Sequence, residues 1–519
     1  MVTLGRTEVR WSKRDAASFF DTLLCPSDLT PWFGRPAISV KDLCDAGDLS
    51  LMDLDKWRPA DDRGTPLSTT SMLFPCSRVW PMGYSWSSAV AQDVSLGLLR
   101  DAGFTEQQVL CAQFPPLLSQ EECLFVLTDD CLFAHVVHAP DGFESVPRSS
   151  VQGRVELLDQ AMLRHGVQQK PEKDITDAPE LTGMGCHLTG NPPRAEPDAK
   201  SIKRTVLGAW GLDVCAQATP AAVASLLGVA QWFSLLRRPC FGIFRDVYKF
   251  TGAEPLDVYV KVPGAVSNEL CLFAALAPLV VADLARDYAP HIVASDAAPE
   301  YGFGVSVASA DMSVLRELGR LSERRGDFVR LGRDKDPSSE PERPRSGHAH
   351  QLAIRRFDFR HVLSIKAKEI EHSGVLELNG ALLLLRWLSR AVHNHGKRHL
   401  VLLDAKAIIA TLQKGRSSSR KLGRLLQKAG AYTLACDFAP RFLYVPTEDM
   451  PADAPSRGVR ARPTRRRVLK KRGHSTAERR LHKVLKHRRV ALRSLETRDL
   501  LDRWDSFSSG SSTSSSPSN

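Results

Sequence analysis

The segment Phe125-Val-Leu-Thr-Asp129-Asp130 runs apolar and then stops on two adjacent carboxylates. A short apolar run bounded in this way reads as a buried strand. Adjacent aspartates at its end repel each other and resist desolvation. Two arrangements relieve that conflict. Either the pair sits in a solvated turn, where Asp-Asp is common, or divalent cations bind it, as where two metals clamp the attacking and leaving oxygens of a phosphoryl transfer. The pair alone leaves both open.

A chain of 519 residues is too long for one ordinary domain; about three are expected. At 43% hydrophobic residues it can bury real cores. The net charge is +11 and the sequence pI about 9.2, a balance suited to a polyanionic partner. From Gly458 to Asp499 there are 16 Lys/Arg against 3 acids, which leaves the rest of the chain near neutral at −2. The basicity is therefore a property of the tail. The eleven cysteines are scattered and form no Cys-x-x-Cys pair, so they are expected as reduced thiols in an intracellular protein, nuclear or cytoplasmic. Met1 to Trp11 is charged and carries no signal peptide. The most apolar run, Leu270 to Ala282, is too short to span a bilayer and contains Pro278. A membrane protein is not expected.

Residues 1–190 read as mixed α/β with many Pro and Gly turns, a strand over Cys123 to Thr128 and a helix over Val155 to His165. Residues 191–202 are polar and read as a linker. Helices follow over 219–250, opening near Pro220. From Leu256 onward strands are expected at Val258 to Val262, His291 to Ser295 and Phe303 to Ala308. Residues 322–350, charged and rich in Pro and Ser, read as a long exposed loop. Then come a helix over Val375 to Val392 and a strand His399 to Leu403 that ends at Asp404. Helices over Ala405 to Gln413 and Lys421 to Ala431 follow, then a strand Phe442 to Val445. The tail 458–500 has the pattern of basic helices around Leu481, Val484 and Leu485. Residues 506–519 are mostly serine and are expected to be disordered.

Four acids in the third block stand at informative places. Asp296 follows a strand and precedes a second strand that opens with Gly302 and Gly304; Glu377 is expected in the first turn of a helix. Asp404 ends a buried strand, and Asp453 opens Pro451-Ala-Asp-Ala-Pro-Ser-Arg457. Singly, each has an ordinary explanation: Asp296 as a turn cap, Glu377 as a favourable charge at a helix N-terminus, Asp404 as the cap of the next helix. Together their order is strand-Asp-hairpin, helix-Glu, strand-Asp-helix, late Asp. Four carboxylates meeting at one end of a sheet would hold two hard cations through oxygen.

The strings Ser295-Asp296-Ala-Ala with Tyr301-Gly-Phe-Gly304, His372-Ser-Gly-Val-Leu-Glu377-Leu, Leu402-Leu-Asp404 and Pro451-Ala-Asp453-Ala-Pro-Ser-Arg457 resemble a ribonuclease H domain of the kind fused to retroelement reverse transcriptases. The resemblance covers about residues 256–457. It implies Asp296, Glu377, Asp404 and Asp453 as metal ligands, with spacings of 81, 27 and 49 residues. The first spacing is long for the family, and the polar stretch 322–350 accounts for the excess. Met450 stands where many relatives carry Asn. No histidine occurs between His399 and His474, so the mobile-loop histidine of some family members has no counterpart.

In that light Phe125 to Asp130 resembles the palm hairpin of a reverse transcriptase, with Leu127 where an aromatic is usual. Pro81-Met-Gly83-Tyr-Ser85-Trp-Ser87 resembles the template-side loop and helix, and Arg14-Asp15-Ala-Ala-Ser-Phe19-Phe20 the first palm motif. Gly166 with Lys170 or Lys173, then Met184 to Leu188, resemble the closing palm motifs and primer grip. Leu226 to Pro239 resembles thumb and connection helices. The resemblance implies Asp15, Asp129 and Asp130 as the polymerase metal ligands and Phe20 as the aromatic that excludes a ribose 2′-OH. Gly83, Ser85 and Lys170 would be nucleotide- or template-binding residues. A shifted register would put Ser12 in place of Asp15. The same resemblance implies a fingers region before Asp15, for which fifteen residues leave no room, so a truncated or decayed copy with an inactive polymerase half is one expectation.

The expected architecture is an α+β palm-type core over 1–190, thumb and connection helices over 191–255, an α/β ribonuclease H-like domain with a mixed sheet over 256–457 containing the 322–350 insertion, and a basic, Ser-rich tail over 458–519. The implied activity is RNA-directed DNA polymerase with ribonuclease H. It would use two Mg2+ ions per site, or Mn2+, on RNA–DNA hybrids or primed RNA templates with deoxynucleoside triphosphates. The alternative is a non-catalytic or decayed nucleic-acid-binding protein whose tail gives salt-sensitive, sequence-independent affinity. A nuclear-import signal or a solvated tail explains the same charge.

Overall fold

The computed structural model describes residues 6–459 except 60–62, 64, 112–120, 140–150, 323, 325, 333–346 and 370. The expected basic helices and serine-rich end of the tail lie outside the described residues, as does most of the 322–350 loop.

The first sheet takes strand β1 (Arg6–Asp15), then, after helix α1 (Ser87–Asp101), strands β2 (Glu122–Leu127) and β3 (Asp130–Ala139), and, after helix α2 (Val151–Arg164), strand β4 (Ile175–Ala178). Its order is β2-β3-β1-β4, all antiparallel. Side chains alternate across it as strand geometry requires. On β3, Cys131 and Phe133 face α1 and α2 with Leu98, Leu99, Val155, Leu158 and Met162. Leu132 faces the other way, toward Trp11, Leu181 and Leu188. Residues Thr128 and Asp129 make the two-residue turn between β2 and β3, with Thr128 at φ 57°. Helix α1 holds that turn: Gln92 accepts from the Thr128 N–H, and the Ser95 hydroxyl donates to the Thr128 carbonyl.

A second sheet joins β5 (Glu180–Gly183), β6 (Cys186–Gly190), β7 (Pro193–Pro197) and, much later, β8 (Ala282–Asp283) in the order β8-β7-β6-β5. Strand β7 and helix α3 (Ala199–Cys215) thus occupy the stretch expected as a linker. The polar residues there serve ends and edges: Asp198 caps α3 by accepting from the Lys200 and Ser201 N–H groups. Helix α4 (Pro220–Ser234) opens with Pro220 behind a Thr219 cap, as its sequence implied. With α5 (Asp246–Thr251) and α6 (Gly264–Leu276) it encloses Val223, Leu227, Phe233, Phe244, Leu270 and Phe273. Only Val260–Lys261 of the expected strand 258–262 is extended into a ladder.

The third sheet is mixed. Strands β9 (Tyr288–Ala298) and β10 (Gly302–Ser309) form a hairpin; helix α7 (Met312–Leu321) and the parallel pair β11 (Phe328–Gly332) and β12 (Ala349–Arg355) precede strand β13 (Arg360–Lys366). Buried β11 is the part of 322–350 that departs from an exposed loop. Its Val329 and Leu331 join the core beside Leu315 and Leu318 of α7, and Phe328 is buried as well. Helix α8 (Ser373–Ser389), strand β14 (Arg398–Leu403), helices α9 (Lys406–Lys414) and α10 (Arg420–Ala435), strand β15 (Ala439–Tyr444) and the short helix α11 (Asp453–Ser456) complete it. The order is β13-β10-β9-β14-β15, with β9, β14 and β15 parallel and the other pairs antiparallel. From Leu400 to Leu403 strand β14 is apolar because both faces are covered. Leu400 and Leu402 pack on the α7 side, Val401 and Leu403 under α8 to α10.

Candidate metal centre

Parallel strands β9 and β14 both run toward the same end of the sheet, and there the carboxylates meet. Asp296 lies near the end of β9 and is buried. Asp404 follows the last residue of β14. Glu377 is on α8, which begins at Ser373, so it stands in the second turn rather than the first. Two glycines allow the approach. A Cβ at Gly380, one turn after Glu377, would lie 3.1 Å from Ser295 Oγ and 3.4 Å from the Asp296 carbonyl oxygen, so the helix sits close on the strand. Gly304 is the cross-strand partner of Asp296. A Cβ there would come within 2.4 Å of both the Ala452 oxygen and the Ser456 nitrogen, so only glycine lets α11 lie on β10.

Asp296, Glu377 and Asp404 each offer an oxygen within 4.8 Å of the others. Ser456 Oγ lies 2.5 Å from Asp296 Oδ2 and 2.7 Å from the Asp453 carbonyl oxygen. Having one proton, it donates to one of them at a time. The Thr447 hydroxyl donates to Asp404 Oδ2 at 2.9 Å. Burial, then Asp296 and Asp404, push the Glu377 carboxyl up to about 9. Burial, then Asp296, push Asp404 up to about 6 against the opposing Thr447 hydrogen bond. Asp296 is raised chiefly by burial, with Ser456 opposing. Hydroxyls orient these groups but supply no positive charge. A hard divalent cation fits such an all-carboxylate set, because it would let all three acids ionise together.

Asp453 stands apart from that trio. Arg457 Nε donates to it at 2.8 Å and Arg356 Nη2 at 3.3 Å, so its charge is already matched. It still acts on the trio through space, raising Asp296 and Asp404.

The first sheet gathers a second acidic cluster. Asp15 and Asp130 are paired across β1 and β3, and Asp129 is in the turn beside them. Ser12 is buried three positions back along β1 and accepts from the Asp177 N–H, so Asp15 is the acid at this edge. Here lysines supply the counter-charge. Lys13 Nζ is 3.0 Å from Asp130 and 3.6 Å from Asp15; Lys173 and Lys170 lie 3.1 and 3.7 Å from Asp15. The Asp129 carboxyl is raised by burial, with Asp130 and Asp15 adding to it. Phe20 is half-buried against the core of this sheet. Gly83, at φ +99°, and Ser85 are exposed in the turn that leads into α1.

Sequence reading missed Lys13, Ser456, Thr447 and the Arg356 contact. Ser456 had a signal, standing three residues after Asp453 inside a string already singled out. Thr447 and Arg356 had none, since they reach the site from separate loops.

No protein-family model and no curated protein sequence matches the chain. Among solved structures it is similar to a foamy viral protease–reverse transcriptase. With the dRH form in complex with double-stranded DNA the TM-score is 0.35 at 12% identity, covering 84% of this chain and 57% of that one. With the protein in complex with an RNA/DNA hybrid the values are 0.33, 11%, 87% and 67%, and in complex with double-stranded DNA 0.32, 13%, 84% and 68%. The chain thus spans little more than half the length of the first of these. At such identity no residue role passes from them to this chain. No helix among the described residues is long and apolar enough to cross a membrane.

Proposed function

We propose that this chain is a retroelement-derived reverse transcriptase with a fused ribonuclease H, and that its working centre is the ribonuclease site. The reading rests on one contrast. Among the described residues the trio Asp296, Glu377 and Asp404 makes no salt bridge, its side-chain hydrogen bonds coming from hydroxyls and Arg457 reaching Asp296 only through space, whereas the acids at Asp15 and Asp130 are matched by Lys13, Lys170 and Lys173. The first arrangement demands cations; in the second, a metal would have to displace ammonium groups first.

In this reading Asp296, Glu377 and Asp404 hold magnesium, or manganese, with Asp453 at the rim. The bound ions would supply charge stabilisation at a scissile phosphate and an activated water. Ser456 and Thr447 keep the Asp296 and Asp404 carboxylates aimed at the centre, and Gly304 keeps α11 where Ser456 can do so. Arg356 and Arg457 hold the Asp453 side chain in place. The substrate class is the RNA strand of an RNA–DNA hybrid, recognised through shape and 2′-OH contacts. The polymerase half would bring primed template and deoxynucleoside triphosphates to Asp15, Asp129 and Asp130, near Phe20, Gly83, Ser85 and Lys170. Magnesium-dependent cleavage of the RNA in a hybrid, lost in Asp404→Asn, tests the assignment; well-folded protein that never cleaves would overturn it.

The alternative, a nucleic-acid-binding protein without catalysis, draws support from those same lysines and from the basic tail. It expects hybrid binding that weakens with salt and does not depend on divalent ions.

A further inference from the structure

Strands β9 and β14 carry histidines toward the end of the sheet opposite the carboxylates. Ile292 is aligned with Leu400, so the residues just before them, His291 and His399, are neighbours on parallel strands. Their ring centres lie 5.9 Å apart. His291 stands five residues before Asp296 and His399 five before Asp404. At about 3.3 Å per residue the pair is therefore about 16 Å from the carboxylate centre.

Each ring has a buried nitrogen that finds no hydrogen-bond partner among the described residues, Nε2 of His291 and Nδ1 of His399. His399 is fully buried, and its tautomer follows from its contacts. Its Nε2 lies 2.9 Å from the Asn394 carbonyl oxygen, which can only accept. Nε2 therefore carries the proton, and Nδ1 of the neutral ring presents a bare lone pair. Phe438 packs against the ring edge-on, with centroids 4.9 Å apart. Burial pushes His399 down to about 4 against the Asn394 hydrogen bond. Burial lowers His291 as well, with His393 and Lys397 adding to it. Both rings are thus neutral near pH 7, the form that ligates metal. A third orphan, Asn394 Oδ1, belongs to the residue that orients His399 and is buried too. Buried polar atoms are nearly always paired, so three orphans along one chain of contacts call for a ligand.

We propose that His291 and His399 are the protein ligands of a zinc-class transition-metal ion, separate from both acidic clusters, that clasps β9 to β14. Imidazole nitrogen suits such ions, whereas an all-carboxylate set suits magnesium. Two imidazoles on one zinc, each nitrogen about 2.0–2.1 Å from it, place their ring centres roughly 5–6.5 Å apart. The observed separation falls in that range. Water, or Asn394 Oδ1, completes the shell. The clasp joins the same two strands that carry Asp296 and lead into Asp404, and so stiffens the base on which those carboxylates stand.

The test uses the full chain with magnesium in excess, so that the carboxylates are not left free for zinc. Zinc is titrated by calorimetry, and amide exchange is followed over Tyr288–Ala298 and Arg398–Leu403. Copper(II) takes the place of zinc for electron paramagnetic resonance, which counts nitrogen ligands. Zinc binding is expected to slow exchange in both strands, and copper should couple to two imidazole nitrogens. Affinity should fall at least about tenfold in His291→Gln and in His399→Gln. Absence of zinc binding, affinity unchanged in either variant, or slowed exchange elsewhere only would overturn the proposal. So would copper without the two-nitrogen coupling, which would leave the orphan atoms to a buried water. The exchange and resonance measurements on unaltered protein decide the matter even if a variant fails to fold.

Discussion

Replacing Glu377 by Gln separates the demands of folding from those of function, because it removes a charge while keeping size and shape. The Glu377 carboxyl sits at about 9 against an ordinary 4.5, so near neutral pH the metal-free fold holds a proton that the unfolded chain has released. Below about pH 4.5 both states are protonated and the group costs nothing. As pH rises toward about 9 the fold loses about 1.4 kcal/mol per unit relative to an unperturbed glutamate, which amounts to about 4 kcal/mol at about pH 7.5. Glu377 is half-buried, and solvent screening reduces this to about 1–2 kcal/mol. Metal-free Glu377→Gln should therefore melt about 2–4 °C higher than the parent at about pH 7.5 and match it at about pH 4.5. Magnesium should raise the melting temperature of the parent and do far less for the variant, which has lost a ligand. Differential scanning calorimetry at two pH values, with chelator and with magnesium, reads all of this. A variant less stable than the parent at both pH values, and still stabilised by magnesium, would refute the reasoning that links charge frustration at Glu377 to metal demand.

Gly304→Ala should destabilise by about 1–3 kcal/mol and weaken magnesium binding, since its Cβ meets backbone of α11 at 2.4 Å; unchanged metal affinity would separate α11 from the site. Ser456→Ala removes the hydrogen bond that lowers the Asp296 carboxyl. The acidic limb of any cleavage profile should then move to higher pH, and a limb that stays put would rule out that contact as a tuning element. Lys13→Met leaves Asp15 and Asp130 short of a counter-charge they hold at 3.6 and 3.0 Å. It should cost about 1–3 kcal/mol and make the melting temperature newly sensitive to manganese. Indifference to manganese would mean that the cluster does not act as a latent cation site.

Much of the third sheet was legible because its constraints are local. The apolar run through Leu403 required cover on both faces, and the strand ending at Asp404 followed from where that run stopped. The spacing of Asp296, Glu377 and Asp404 could be read against a known order, and the three do converge. What stayed hidden depends on contacts between distant segments. Lys13 carried no mark in sequence, and its role exists only because β1 and β3 align Asp15 with Asp130. Asp453 looked equal to the other acids, yet two arginines from separate elements had already matched its charge. The polar stretch 191–202 misled because Pro and Asn punctuate strand ends and helix caps as well as linkers. There they bound β7 and precede α3.

The central claim is that the carboxylate trio, which makes no salt bridge among the described residues, is a metal centre that cuts RNA paired to DNA. Its most direct measurement follows a labelled RNA–DNA hybrid, with matched duplex DNA as control, incubated with the full chain and magnesium, beside Asp296→Asn protein of verified fold. The account predicts endonucleolytic cleavage of the RNA strand alone, abolished by chelator and by the substitution. Intact hybrid under magnesium and manganese, or cleavage that survives Asp296→Asn, would contradict it.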